Sequence, residues 1–318
     1  MTGSGQSHNF LDDKTNTGKG IVIMDRNTTK YKVKQYIMFA GISTVLFAAV
    51  VIIPFIYGLY LTFTSWDGIS KDKQFVGFAN YIATFKDIAY WQALGRTVIY
   101  SVISVVLVNV VAFFLAYLLT SGIKGQNFFR AGFFIPNLIG GIVLGYIWSM
   151  IFNGVLGKIN TSILMETRYG FWGLIILMCW QQVGYMMIIY IAGLQAVPGE
   201  LIEAAKIDGA TKWQTLTRVT IPNIMPSITI CLFLTITNGF KLFDQNLALT
   251  NGQPFEQLKD GSVIKTTEML ALNIYNTFYG QSLTGKGVAQ AKAVIFFILV
   301  AGISIIQLKA TRSKEVQQ

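Results

Sequence analysis

Six apolar runs, each about as long as a bilayer is thick, limit what this chain can become. They cover residues 35–63, 97–120, 131–152, 171–194, 227–247 and 288–308. A helix of about 20 apolar residues crosses the hydrocarbon core, so each run is expected to be one transmembrane helix. Pro54, Gly58, Pro136, Gly140, Gly141, Gly145 and Gly184 fall inside the runs. Such residues would be costly in a soluble core helix, whereas neighbouring helices in a membrane re-satisfy the freed backbone groups. With 53% hydrophobic and 13% charged residues, the whole chain has the balance of a membrane protein. The expected fold class is an all-α membrane protein with six transmembrane helices.

The net charge of +10 raises the question of a polyanionic partner. Its distribution answers it. Lys14, Lys19, Arg26, Lys30, Lys32 and Lys34 precede the first run, Lys124 and Arg130 sit in the next loop on that side, and Lys309, Arg312 and Lys314 follow the last run. The opposite loops mix signs, with Lys71, Asp72, Lys73, Lys86 and Asp87 in one and Glu166 with Arg168 in another. The positive-inside rule then puts both termini in the cytoplasm, and no nucleic-acid partner is expected. The polar segment before the first run lacks the short apolar core and cleavage site of a signal peptide, so a cleaved leader is not expected. The expected division is a disordered cytoplasmic tail over residues 1–34, a six-span membrane domain over 35–310 and a short cytoplasmic tail over 311–318.

Cys179 and Cys231 both lie in apolar runs and read as buried small hydrophobes rather than a disulfide. The single histidine, His8, is in the amino-terminal tail, so no metal site is expected. The loop at 64–96 is long and aromatic and is expected to carry short surface helices. The loop at 248–287 is long too, with a turn at "TNGQP", residues 250–254.

The most polar ordered stretch, "EAAKIDGATKWQTLTRVTIPNIMP", occupies residues 203–226 within a loop, 195–226, on the cytoplasmic side. Pro198 and Gly199 end the fourth run. Glu200 and Glu203 suit a first helical turn, where the helix dipole favours acids. Gly209 is a natural stop. Thr211 with Gln214 three residues on forms a capping box that opens a second helix. Trp213, Leu216 and Val219 share a face of that helix, and Pro222 and Pro226 mark its end. The pattern is a helix–turn–helix at the membrane surface. It reads as a loop packed on its own protein or as a docking knob for a soluble subunit; a DNA-reading role is remote because both ends are tethered to spans.

The stretch resembles the EAA loop of permease subunits of binding-protein-dependent ABC importers, whose pattern is E-A-A-x3-G-x9-I-x-L-P. Glu203, Ala204, Ala205, Gly209 and Pro222 match at the family spacing, and Val219 and Ile221 stand for Ile and Leu. "FVGFANY" at 75–81, "FFIPNLIGGIVLGYIW" at 133–148 and "GFKLFDQ" at 239–245 followed by "TNGQP" extend the resemblance over about 36–310. They point to the carbohydrate-uptake branch, of the maltose-F-like or glycerol-phosphate-A-like type. Arg96-Thr97 stands where Asn-Thr is usual, and "TNGQP" has fewer glycines than the family run. The resemblance implies an ABC type I importer fold with a cytoplasmic EAA coupling helix. It assigns coupling to Glu203, Ala204, Ala205, Asp208, Gly209 and Pro222.

The same resemblance implies a second related permease, two ATP-binding subunits and an extracytoplasmic solute-binding protein as partners. It implies a sugar substrate, oligosaccharides foremost, and the cytoplasmic membrane of a bacterium or archaeon as location. This chain carries no nucleotide site of its own: "GQSLTGKG" at 280–287 lacks the Ser/Thr of a phosphate loop and lies on the outer side, and "TGKG" at 17–20 fails as well. ATP and magnesium are therefore expected on the partner ATPase subunits, with no cofactor and no catalysis here.

Intramembrane polar residues are costly, so each is a site candidate. Gln181, Gln182 and Tyr185 in the fourth run, and Asn238, Lys241 and Asp244 at spacings of three in the fifth, are the candidate substrate pathway. Amide roles as interhelical glue stay open, as does a snorkelling Lys241 paired with Asp244. Asn109 reads as glue. A permease of the same superfamily for glycerol phosphate or an amino acid is the nearest alternative, and an ion-driven secondary transporter a more distant one.

Overall fold

The computed structural model describes residues 29–69, 73–259, 261–280 and 285–313. The tail expected over residues 1–34 lies mostly outside the described residues, as do His8, "TGKG", half of "GQSLTGKG" and residues 314–318. The chain divides into two units, Met1–Ile56 and Tyr57–Gln318.

The first long helix consists of α1 (Thr29–Phe47), a π turn (Ala48–Ile52) and α2 (Ile53–Leu61). Then follow α3 (Ala79–Lys86) and α4 (Ile88–Thr120), the latter capped by Asp87, whose carboxylate accepts from the Ala89 amide. Next are α5 (Gln126–Phe134), α6 (Gly141–Leu156), α7 (Thr167–Ala196), α8 (Gly199–Ile207), α9 (Lys212–Thr215), α10 (Ile221–Asn223), α11 (Met225–Phe240) and α12 (Asp244–Leu249). An antiparallel hairpin of β1 (Phe255–Gln257) and β2 (Val263–Lys265), then α13 (Leu270–Tyr279) and α14 (Gly285–Arg312), complete the chain.

Among the described residues, five helices are long and apolar enough to cross a membrane. The bent pair 212–223 and 225–240 makes a sixth if counted as one span. The six-helix expectation therefore holds, with four corrections. The second span starts at Ile88 rather than at 97. The third is not one helix from 131: a 3-10 turn (Ile135–Leu138) with Pro136 and an extended Gly140 separate α5 from α6. The fifth ends at Phe240, where the chain reverses, instead of running to 247. The hairpin is a small sheet that an all-helical reading omits. Apolar residues flank both breaks, so averaged hydropathy hides them, although Pro136 and Asn137 precede the first and Lys241, Asp244 and Gln245 surround the second.

Two prolines are tolerated by one device. Proline lacks an amide hydrogen and clashes with the carbonyl four residues back. Pro54 and Pro222 each follow a π turn by two residues, closed by bonds from Ile53 to Ala48 O and from Ile221 to Leu216 O. The wider turn makes room for the ring, so Pro222 does not end its helix as expected; the break falls at Ile224.

Within Tyr57–Gln318, α7 is the central helix, with 67% of its apolar window buried. One core cluster joins Tyr100, Leu144, Leu174, Leu177, Leu249 and Met269. A second joins Val108, Ala112, Met186, Met187, Tyr190 and Cys231 between α4, α7 and α11. Both cysteines are free.

Candidate functional site

The helix pair at residues 199–223 is built much as its sequence predicts. Glu200 occupies the first turn of α8, and Gly209 follows the helix at φ +78°, a left-handed conformation that glycine adopts without penalty. The capping box is formed: Thr211 Oγ1 accepts from the Gln214 amide at 3.3 Å, while Gln214 Oε1 accepts from the Thr211 amide at 2.8 Å. Pro198 and Gly199 belong to the start of α8 rather than to the end of α7. Thr211→Ala should destabilise this turn by about 1 kcal/mol. Hydrogen exchange of the amides of α9 should then rise about fivefold; unchanged exchange would show the cap to be idle.

Glu203, Ala204, Asp208 and Gly209 are exposed, and Ala205 and Pro222 partly so. Two large apolar side chains on the pair are also in the open: Ile207 is 86% and Trp213 71% exposed. Behind the pair lies a groove of ≈ 370 Å³ bordered by Tyr117, Thr120, Leu194, Ile202, Lys206 and Leu216. The pair thus turns apolar side chains outward instead of spending them on its own bundle, which a loop packed on itself would not do.

Midway along α7 and around the carboxy-terminal end of α11 the polar candidates are only partly brought together. Gln181 is buried and bonded on both sides: its Nε2 donates to Ile139 O at 3.1 Å, and its Oε1 accepts from Gln245 Nε2 at 2.7 Å. Gln182 is buried too, while Tyr185 and Asn238 are partly exposed. Asn238, Lys241 and Asp244 do not share one helical face, because α11 stops at Phe240 and Asp244 opens α12. Lys241 and Asp244 are exposed. Among the described residues the ion pairs are Arg168–Glu166 and Lys292–Asp87, so the Lys241–Asp244 pairing that the sequence left open is not formed. Asn109 is interhelical glue, bonded to Thr235 Oγ1 at 2.9 Å and to the Tyr190 hydroxyl at 2.7 Å.

Sequence reasoning missed a buried cation. Lys292 on α14 is 1% exposed. Its three ammonium protons meet Asp87 Oδ2 at 2.7 Å, Thr277 Oγ1 at 2.7 Å and Asn273 Oδ1 at 3.0 Å. Asn273 also donates to the buried Glu268 at 2.8 Å, and Asn276 donates to the same carboxylate. Arg96 reaches the carbonyl of Lys265 at 2.7 Å. These bonds tie the start of α4, the hairpin, α13 and α14 into one cap. The signal was a lysine inside an apolar run, and its partner is 205 positions away. No group of three or more potential metal ligands occurs among the described residues.

Residues 108–312 match the model of a family described as binding-protein-dependent transport system inner membrane component. The chain is 43% identical to the "Probable starch degradation products transport system permease protein AmyD" of Thermoanaerobacterium thermosulfurigenes, over 89% of this chain and 95% of that one. It is 32% identical to the "Multiple sugar-binding transport system permease protein MsmF" of Streptococcus mutans, over 83% and 90%. Among solved structures it resembles a chain of a bacterial ABC transporter involved in import of the acidic polysaccharide alginate, with a TM-score of 0.72. That likeness covers 89% of this chain and 97% of that one at 18% identity, which speaks to the fold alone.

Proposed function

The chain belongs to the family of binding-protein-dependent transport system inner membrane components, and from that premise we propose that it moves oligosaccharides inward as the permease subunit of an ATP-driven importer. The 43% identical relative named for starch degradation products and the 32% identical one named for multiple sugars support a sugar substrate. A relative named for sn-glycerol-3-phosphate transport, 29% identical, represents the other solute class.

Energy comes from outside the chain. Two ATP-binding subunits, carrying the ATP and magnesium, dock on the helix pair; a second related permease completes the pathway, and a solute-binding protein delivers the sugar. The observation that carries this reading is the outward display of Ile207 and Trp213 on a capped helix pair whose EAA sequence matches the family loop. Exposed aromatic and aliphatic anchors within a polar rim are what a docking partner uses. Glu203, Ala204, Ala205, Asp208, Gly209 and Pro222 form the contact or hold its shape. The pair then faces the cytoplasm, as do both termini, in the cytoplasmic membrane of a bacterium or archaeon. Gln181, Gln182, Tyr185, Asn238, Lys241 and Asp244 border the sugar's route. Buried amides midway along α7 and exposed charges just beyond the end of α11 suit a hydroxyl-rich ligand.

The test is co-purification of the whole complex with wild-type chain, Glu203→Ala and Gly209→Asp. Wild type should retain an ATPase subunit and show hydrolysis stimulated by the solute-binding protein. The Gly209 variant, forced to hold a side chain at φ +78°, should lose at least about tenfold of that stimulation. A wild-type chain that retains no ATPase subunit overturns the reading.

A further inference from the structure

The helix α13 has two unlike faces. One is anchored: Asn273 and Thr277 hold Lys292, and Leu270 is buried. The other is on display. Tyr275 and Tyr279, one turn apart, lie on the opposite side of the helix and are 38% and 67% exposed.

These two rings belong to a row. Phe243 and Tyr275 have centroids 5.0 Å apart, Tyr275 and Tyr279 4.5 Å, and Tyr279 and Phe278 5.0 Å; Trp66 follows Phe278 at 5.9 Å. Phe243, Tyr275 and Tyr279 border one groove of ≈ 340 Å³ with Ala271 and Gln290. Its size suits a small ligand, and aromatic walls with few polar groups are the usual lining. Phe243 sits in the reversal between α11 and α12, flanked by the exposed Lys241 and Asp244.

We propose that the Phe243–Tyr275–Tyr279 row is a sugar-contacting surface at the extracytoplasmic mouth of the permease, where pyranose rings lay their apolar C–H faces on the aromatic rings. The proposal rests on the importer reading above and goes beyond it by assigning residues that reading does not contain. A pyranose has an apolar face and a rim of hydroxyls. The rings supply the first need, and the tyrosine hydroxyls, Gln290, Lys241 and Asp244 supply the second. Charges of both signs beside Phe243 disfavour a lipid acyl chain as the occupant, since charge next to hydrocarbon is costly, and are at home in a wet mouth. The anchored face of α13 fixes the row, so binding a sugar there loses little side-chain freedom.

The experiment uses the complete transporter with its solute-binding protein in sealed vesicles, and a mixture of labelled pyranose di- and trisaccharides as probe. Tyr279→Ala and Tyr275→Ala should each lower uptake about fivefold to tenfold, by more than any fall in stimulated ATP hydrolysis in the same vesicles. Tyr279→Trp, which keeps a π face, should recover most of it. Tyr146→Ala, at an exposed ring on α6 outside the row, is the control and should match wild type. Uptake by both alanine variants equal to wild type overturns the proposal, and so does loss of the second permease from the purified variants, which would make the row a subunit contact. A wild-type complex that hydrolyses ATP but moves none of the sugars removes the substrate reading itself, which the variant arms alone could not do.

Discussion

Replacing Gly184 by alanine is expected to lower the thermal stability of the purified chain by about 10 °C, the counterpart of roughly 3 kcal/mol. A Cβ on Gly184 would stand 1.8 Å from the carbonyl oxygen of Phe133 and 2.3 Å from its carbon. The obstacle is backbone, which cannot swing aside as a side chain does. The end of α5 must move off α7, and the bond from Gln181 to Ile139 O goes with it. Gly132→Ala is the matched control: it adds a methyl to the same short helix at a place with nothing within 4 Å. Equal melting of the two variants would mean that α5 is not seated on α7 in the membrane.

Lys292→Met should cost roughly 2–3 kcal/mol, less than the loss of a wholly buried pair, because the Asp87 side chain keeps 32% of its area in solvent. Asp87→Asn should cost a similar amount. Its one oxygen still accepts from the Ala89 amide, but an NH2 donor then faces the lysine in place of the carboxylate oxygen. The double variant should be more stable than the sum of the two losses by about 1–2 kcal/mol, since neither partner is left without the other. Additive losses, measured as denaturation midpoints in detergent, would mean that the ion pair itself contributes nothing and that Lys292 acts through Asn273 and Thr277.

How much of this could be read from the chain depends on the range of the interactions. Local chemistry was legible. The Thr211–Gln214 cap, the stop at Gly209 and the apolar bulk of the spans are encoded within a few residues of where they act. The breaks at Ile139 and Lys241 were not: Pro136, Gly140, Lys241 and Asp244 stand beside them, but inside an apolar run such residues read equally as tolerated kinks or as site candidates. What bends the chain there is packing: Phe133 against Gly184, and Asp244 and Gln245 over Gly141. The hairpin at 255–265 had a short-range sign, the Asp-Gly dipeptide at 260–261, with Gly261 at φ +83°. The shared face expected for Asn238, Lys241 and Asp244 was misread. Their spacing of three assumed a helix that had already ended. Lys292, with a partner 205 residues away, is visible only once α4, α13 and α14 are assembled.

The bend of 71° between the segments 212–223 and 225–240 has a mechanical meaning. Its corner is occupied by Ile224, 1% exposed, so the angle is set by packing and is not a loose joint. A straight rod passes a push along its length and its far end merely advances. An elbow held at this angle passes the same push on mostly as a sideways sweep. A displacement of the exposed helix pair by an ångström or two would therefore reach α11 as a swing across the membrane, not a slide through it, and a swing is the movement that opens a space beside the neighbouring α4 and α7.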